Sequence, residues 1–356
     1  MQVMKTCQAI SQLGHAVYLY VPSQDQGTDH VDIITYYGLK TAVDIEWLPS
    51  RGSLHRYDFA YQAIRKARHM KADAAYVWLT QAGILSLMAG LPVIYEMHGP
   101  PEGRFGPVLF RLFQRLPGKK RWLPITHALA GQVRERFGID PQLMRVSPNG
   151  VDLERYAGLP EAAVAREMLG LPPKLTAGYS GHLYPGRGMD LLLKLAKRFP
   201  AIHFLWVGGR AEDVNAWRER LAAEKIENVS LAGFVQNSQL PIYQAACDTL
   251  LMPYERVITG SSGGDSASYA SPMKMFEYMA SRRAIISSDL PVIREVLNPS
   301  NATLCPPEDV DAWTHSIGYL MADPERRGEL AHQAWLDVQR YTWVERARNA
   351  LEGFLI

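Results

Sequence analysis

Three short stretches of this chain place polar or charged side chains where chemistry is possible. In SYASPMKMFEYMASRRAIISSD, Ser268 to Asp289, Lys274 and Glu277 stand three apart in a mostly apolar run. The spacing predicts a helix: Ser271 suits an N-cap, Pro272 a first helical residue, and Met273, Phe276, Met279 and Ala280 repeat on one face. A lysine and a glutamate at that spacing make a surface ion pair of about 0.3 kcal/mol. The same pair in the first turns of a helix can also address a ligand. The helix follows the long polar loop ERVITGSSGGDSASYAS, and loops of that length in compact domains are often functional. In YSGHLYPGRGMDLLLKL, Gly181, Gly186 and Gly188 surround Arg187 after an expected strand and before an expected helix. Glycines let backbone N–H groups approach an anion, the helix start adds positive potential, and Arg187 offers a forked phosphate donor. Plain turn chemistry uses the same glycines, so both readings stand. In YEMHG, His98 ends an expected strand two residues after Glu96, either as a polar loop residue or as a hydrogen-bonding and acid–base group.

Several chemistries have no motif here. The Gly-rich stretch lacks the Lys-Ser/Thr of a Walker loop, and no GxGxxG with a downstream acid follows a strand, which disfavours a nicotinamide dehydrogenase. There is no DxD pair for a nucleotide-bound metal, no HExxH, no GxSxG and no Cys-x-x-Cys. The three cysteines, Cys7, Cys247 and Cys305, lie far apart in apolar runs, which fits a reducing cytoplasm. The formal net charge of +2 gives no argument for nucleic acid. No signal peptide and no apolar run of about 20 residues is visible.

The elements that would position these residues alternate. AVYLYV (16–21), ITYYGL (34–39), DIEWLP (44–49), AAYVWLT (74–80), LPVIYEMHG (91–99) and part of MRVSPNGVD (144–152) read as strands of the first half. In the second half TAGYSGH, IHFLWVGG, VSLAGFV, DTLLMPY, AIISSD and ATLCPP read as short buried strands. Each is followed by a helical stretch, LPVIREVL among them. The 356 residues suit two domains, and the alternation predicts an α/β chain of two doubly wound, Rossmann-like domains. Ligands of such sheets bind beyond the C-terminal strand ends, which points to His98, to 181–188, to 208–210 and to 254–272, with the cleft between the domains as the default site.

PNGVDLERY (148–156), GHLYPGRGMDLLLKLAKRFP (181–200), FLWVGG (204–209) and SPMKMFEYMASRRAIISSDLPVIREVL (271–297) resemble, in order and spacing, the retaining glycosyltransferases of family four. Within that family the chain is similar to a subgroup reading Ser-Pro-x-Lys-x-Phe-Glu-Tyr-Met-Ala. The resemblance covers nearly all of 1–353. It implies a GT-B fold of two facing domains: an acceptor-side domain over 1–160, a nucleotide-sugar domain over 161–335, and a segment over 336–356 returning to the first. It implies that Glu277 binds the donor ribose, that Arg187 holds the diphosphate, that His98 lies near the transferred sugar, and that Phe234 and Val235 lie beside the base. Gly181, His182, Ser271, Pro272, Met273 and Lys274 complete the expected donor site, and catalysis is assigned to His98, Arg187 and Lys274. The implied activity is metal-independent transfer, with retention, from a nucleotide-sugar, a UDP-sugar favoured, to a glycan, lipid or small-molecule acceptor. No cofactor is expected.

Three positions depart from the family pattern. The family places a glutamate eight residues before Glu277, where this chain has Tyr269. Its usual Gly-Arg is Gly181–His182, and Lys274 is expected to replace the lost cation. The resemblance also implies a strand and Gly-rich loop ahead of the helix that begins at Met1, expected to be missing here. A nucleotide-sugar epimerase and a non-catalytic nucleotide-sugar-binding protein remain as alternatives. In GRFGPVLFRLFQRLPGKKRW (103–122), Leu109, Leu112, Phe113 and Leu116 form an apolar face, with Arg111 and Arg115 elsewhere and Lys119, Lys120 and Arg121 following. That segment is either a helix packed on its own sheet or a peripheral contact with the inner face of an anionic membrane.

Overall fold

In the first half, strand β1 (Tyr18–Ser23) pairs in parallel with β2 (Asp44–Pro49). Strands β3 (Ala75–Val77), β4 (Val93–Met97) and β5 (Lys120–Pro124) form a parallel sheet in that order. The structure, a computed structural model, describes residues 1–23, 33–258 and 265–355. The middle of the polar loop singled out above, 259–264, lies outside them. Every side chain of the central strand β4 is buried, Glu96 included. The helix Trp343–Leu351 packs beside the opening helix Gln2–Gln12 and buries Trp343, Arg346, Ala347, Ala350 and Leu351.

The apolar runs of the second half become β6 (Thr176–Ser180), β7 (His203–Val207), β8 (Val229–Gly233), β9 (Thr249–Met252), β10 (Ala284–Ser288) and β11 (Thr303–Cys305). They form one parallel sheet in the order β11-β10-β9-β6-β7-β8. All residues of β6, β7, β9 and β10 are buried, the pattern of strands covered on both faces. The chain leaves β6 toward β7 on one side and returns to β9 on the other. The loops after β6 and β9 therefore diverge at neighbouring strand ends, where doubly wound sheets open a crevice.

The two compact units are Met1–Asn149 with Trp343–Ile356, and Gly150–Thr342. The division falls at 149/150 rather than 160/161, because Val151 bridges to Thr342 and its N–H donates to the Tyr341 carbonyl at 2.9 Å. The returning segment begins at Trp343 rather than 336, because a helix that the sequence reading did not separate, Pro324–Val338, belongs to the second unit.

Other expectations change locally. ITYYGL is not a strand: its β-branched and aromatic residues form the short helix Ile33–Tyr37. Gly38, at φ +59°, ends it, and the Leu39 N–H reaches back to the Ile34 carbonyl at 2.8 Å. Leu39 is thereby buried with Met4, Cys7 and Leu19. MRVSPNGVD holds single bridges at Met144 and Val151 and no strand. LPVIREVL folds as consecutive turns, with Ile293 and Arg294 both donating to the Leu290 carbonyl, rather than as a helix.

Candidate functional site

The Gly-rich stretch begins where β6 ends. Gly181 takes φ +144°, and a Cβ there would stand 2.6 Å from the Lys274 ammonium, so only glycine fits without displacing that cation. Gly188 takes φ +73° and caps the helix Met189–Arg198, and a Cβ there would overlap the Pro253 carbonyl oxygen at 1.8 Å. The loops after β6 and β9 thus touch. Two of the amides expected to face an anion are already engaged. The Gly181 N–H donates to the Val207 carbonyl at 2.8 Å, and the Gly188 N–H to the Glu255 carboxylate at 3.1 Å. The glycines serve close approach, and the positive charge of the site comes from side chains.

Those side chains are Arg187 and Lys274. The Lys274 ammonium sits 3.9 Å from the centre of the Tyr179 ring and 5.3 Å from that of Tyr254. The Arg187 guanidinium lies 5.1 Å from the Tyr184 ring and 5.3 Å from the same Tyr254 ring, and donates to the Tyr184 hydroxyl at 3.1 Å. Both cations therefore flank one tyrosine. Burial, and then the neighbouring Arg187, pushes the Lys274 ammonium well below its ordinary pKa, while Glu277 works in the opposite direction. Arg187 is held above its ordinary value: burial opposes this, and Tyr254, Tyr184 and Tyr179 outweigh it. His182 stacks on Tyr184 with ring centres 4.9 Å apart, and burial, then Arg187 and Lys274, lowers its pKa. Two like charges held together in a low-dielectric recess are stabilised by a bound anion.

Lys274 and Glu277 project from the helix Met273–Ala280, which buries Met275, Phe276, Tyr278, Met279 and Ala280; Met273, expected on that face, is only partly buried, and Met275 and Tyr278 join it instead. Its start differs as well. Pro272 holds the N-cap position with φ −68° and ψ 125° and no side-chain cap bond, so Ser271 lies one residue outside it. The helix is fixed from behind: the Tyr278 hydroxyl accepts from the Ser180 N–H at 2.8 Å, tying it to the end of β6. The carboxylate of Glu277 bears on the buried Tyr156 hydroxyl, whose pKa rises through burial first and Glu277 second. Next to Tyr156, the Arg155 guanidinium donates to the Asn237 carbonyl, in the segment that carries Phe234 and Val235. Phe234 is 67% exposed.

His98 lies in the first unit. Its Nε2 is 2.6 Å from Oε1 of Glu96, and its side chain is 33% exposed while that of Glu96 is fully buried. Arg346 reaches the same Oε1 at 2.9 Å, and the Tyr76 hydroxyl donates to Oε2. Burial alone would raise the Glu96 pKa; Arg346, then His98 and Tyr76, overturn this and keep it well below the usual carboxylate range. Arg346 is itself anchored, its Nε donating to the Pro148 carbonyl at 2.9 Å and its Nη1 to Thr6 at 3.2 Å. An open depression of about 410 Å³, lined by Ser50, Gly52, His55, Arg56, Leu79 and Gln81, lies at the C-terminal ends of β2 and β3. His55 and Arg56 there take φ +46° and +65°, a strained pair that no glycine announces in the sequence.

The basic segment 103–122 is corrected in detail. Its helix, Gly106–Arg115, buries Phe110 and Phe113. Leu112, expected on the inner face, is 46% exposed, in line with Phe105 at 66% and Val108 at 60%. Arg104, Arg111 and Arg115 are exposed around this stripe. Three further cations are structural. Lys119 donates to the Phe354 carbonyl at 2.8 Å, Lys120 to the carbonyls of Phe113 and Gln114 at 3.1 Å, and Arg121 to those of Ala350 and Glu352 at 2.9 and 2.7 Å. Among the described residues no helix is long and apolar enough to cross a membrane. Nor do three His, Cys, Asp or Glu side chains there gather as a metal would require.

Comparison with known proteins gives two family matches, to "Glycosyltransferase Family 4" over residues 1–155 and to "Glycosyl transferases group 1" over 174–323. Among curated relatives, the D-inositol 3-phosphate glycosyltransferase of Segniliparus rotundus is 25% identical over 311 residues, 81% of this chain and 66% of the relative. This chain thus spans slightly under two thirds of that relative's length. The GDP-mannose-dependent alpha-(1-6)-phosphatidylinositol monomannoside mannosyltransferase of Mycolicibacterium smegmatis is 29% identical over 296 residues, 78% of this chain and 75% of the relative. Among solved structures, Anabaena HepE in complex with UDP and glucose superposes with a TM-score of 0.74 at 18% identity, covering 98% of this chain and 95% of that one. The likeness extends over the whole α/β architecture of both units.

Proposed function

The chain belongs to glycosyltransferase family four, with the GT-B fold, and on that premise we propose that it moves a sugar from a nucleoside-diphosphate donor, a UDP-sugar, to a hydroxyl of a glycan, lipid or small-molecule acceptor. The observation that carries this reading is the pair of cations, Arg187 and Lys274, flanking Tyr254 where the loops after β6 and β9 diverge. A diphosphate seated there relieves their mutual repulsion. The same cations then stabilise the charge that develops on the leaving diphosphate, which is electrostatic catalysis in a preorganised recess. Glu277, one turn along the same helix, accepts from the ribose hydroxyls. Phe234 and Val235 lie on the side of the base, and His182, Ser271, Pro272 and Met273 border the phosphates.

Cationic side chains supply the charge stabilisation, so the transfer is read as metal-independent. The acceptor attacks the face from which the diphosphate departs, with a diphosphate oxygen taking its proton, and the anomeric configuration is retained. His98 orients the sugar. A thermal-shift series with UDP, GDP, ADP and their sugars tests the donor. UDP is expected to give the largest shift, and an Arg187→Ala variant to lose it. A series in which no nucleotide stabilises the protein sinks the reading.

The exposed stripe Phe105, Val108 and Leu112, bordered by Arg104, Arg111 and Arg115, supports a second element, peripheral contact with an anionic membrane. Vesicles containing phosphatidylglycerol should pellet the protein at low salt, and Leu112→Glu should weaken this. Equal pelleting with neutral vesicles, or none at all, contradicts it.

A further inference from the structure

The Glu96 cluster goes beyond the assignment of His98 to the sugar. A carboxylate with no exposed surface at the centre of a sheet stands only if it is paired and hydrogen-bonded. Glu96 has both: Arg346 at 2.9 Å supplies the opposite charge, and the Tyr76 hydroxyl donates to its other oxygen. Arg346 is held in turn by Pro148 and Thr6, so the carboxylate has one position. With that charge state fixed, Glu96 has no proton to give. The 2.6 Å contact between its Oε1 and His98 Nε2 therefore requires the imidazole to donate. The imidazole keeps solvent access over a third of its side chain.

We propose that Glu96 is a positioning residue: its carboxylate, clamped by Arg346 and Tyr76, holds His98 as the Nε2–H tautomer and leaves Nδ1 to accept a hydrogen bond from a hydroxyl of the transferred sugar. The sugar half of this inference rests on the function proposed above; the tautomer half does not. On this view the C-terminal helix, through Arg346, sets which way a hydrogen bond to the substrate runs. The orienting partner is separated from His98 by almost 250 residues of chain, and Glu96 connects the two.

The test is the protonation pattern of His98 in the full chain. Protein labelled with nitrogen-15 at histidine is examined by long-range proton–nitrogen correlation at a pH well above the ordinary histidine value of about 6.5, with His98 assigned by its loss in His98→Asn. A protonated Nε2 with a bare Nδ1 is expected. A protonated Nδ1, or averaging between tautomers, overturns the inference, and this measurement needs no variant of the cluster to fold. The double variant Glu96→Met/Arg346→Met removes the acceptor together with its counter-charge, so no orphan ion is left. Its His98 is expected to average between tautomers, and an unchanged Nε2–H pattern overturns the role of Glu96. Because the spectra are recorded without nucleotide, a wrong tautomer and a failure to bind UDP are separate results, the first against this inference and the second against the donor reading.

Discussion

In the first unit a buried acid meets a buried base: Glu96 and Arg346 close on each other, with Tyr76 and His98 completing the shell. In the second, two cations, Arg187 and Lys274, flank the same Tyr254 ring, and the ammonium is driven toward its neutral form. The first cluster is complete without substrate, which is what a scaffold for one exposed imidazole requires. The second is held at an electrostatic cost that a bound diphosphate would offset. The two charged networks therefore teach opposite things, one about positioning and one about binding: Arg346 is paired with a carboxylate, whereas the Lys274 ammonium is pushed well below its ordinary pKa.

The comparison breaks most visibly in stability. Arg346→Ala strands the Glu96 carboxylate and should cost about 3–5 kcal/mol in urea denaturation, with much of this recovered in the Glu96→Met/Arg346→Met double variant. A loss under 1 kcal/mol would mean that the pair is not a closed network. Lys274→Met should do the reverse, raising stability by about 1 kcal/mol, a shift of roughly 2–4 °C, while weakening UDP binding. The sign with pH follows from the depressed lysine. Between its folded value and the ordinary value near 10.4 the unfolded chain binds more protons, so stability rises with pH across that window. Lys274→Met should flatten this rise, measured by denaturation at pH 7 and pH 9.5. An equal slope in both proteins would mean that the ammonium is not desolvated.

Much of the second unit was legible in sequence because strands covered on both faces read as unbroken apolar runs between helical stretches. Where local composition competes with a turn signal the reading fails: Gly38 ends a helix that the β-branched and aromatic residues before it had presented as a strand. The chemistry was legible in part. Arg187, Lys274 and His98 declare themselves by type and by their place after strands. The tyrosine walls do not, since Tyr179 and Tyr254 read as ordinary strand residues. Nor does Arg346, whose helix looks amphipathic and solvated until the fold sets it against Glu96. Lys120 and Arg121 mislead in the opposite direction: in sequence they extend a basic surface, and in the fold they bind backbone carbonyls.

The central claim is that Arg187 and Lys274 bind the diphosphate of a nucleotide, and calorimetric titration with UDP tests it most directly. The wild-type protein should bind UDP. Arg187→Ala and Lys274→Met should each weaken binding by about 10- to 100-fold. Equal affinity in all three proteins, or no binding to the wild type, would contradict the account.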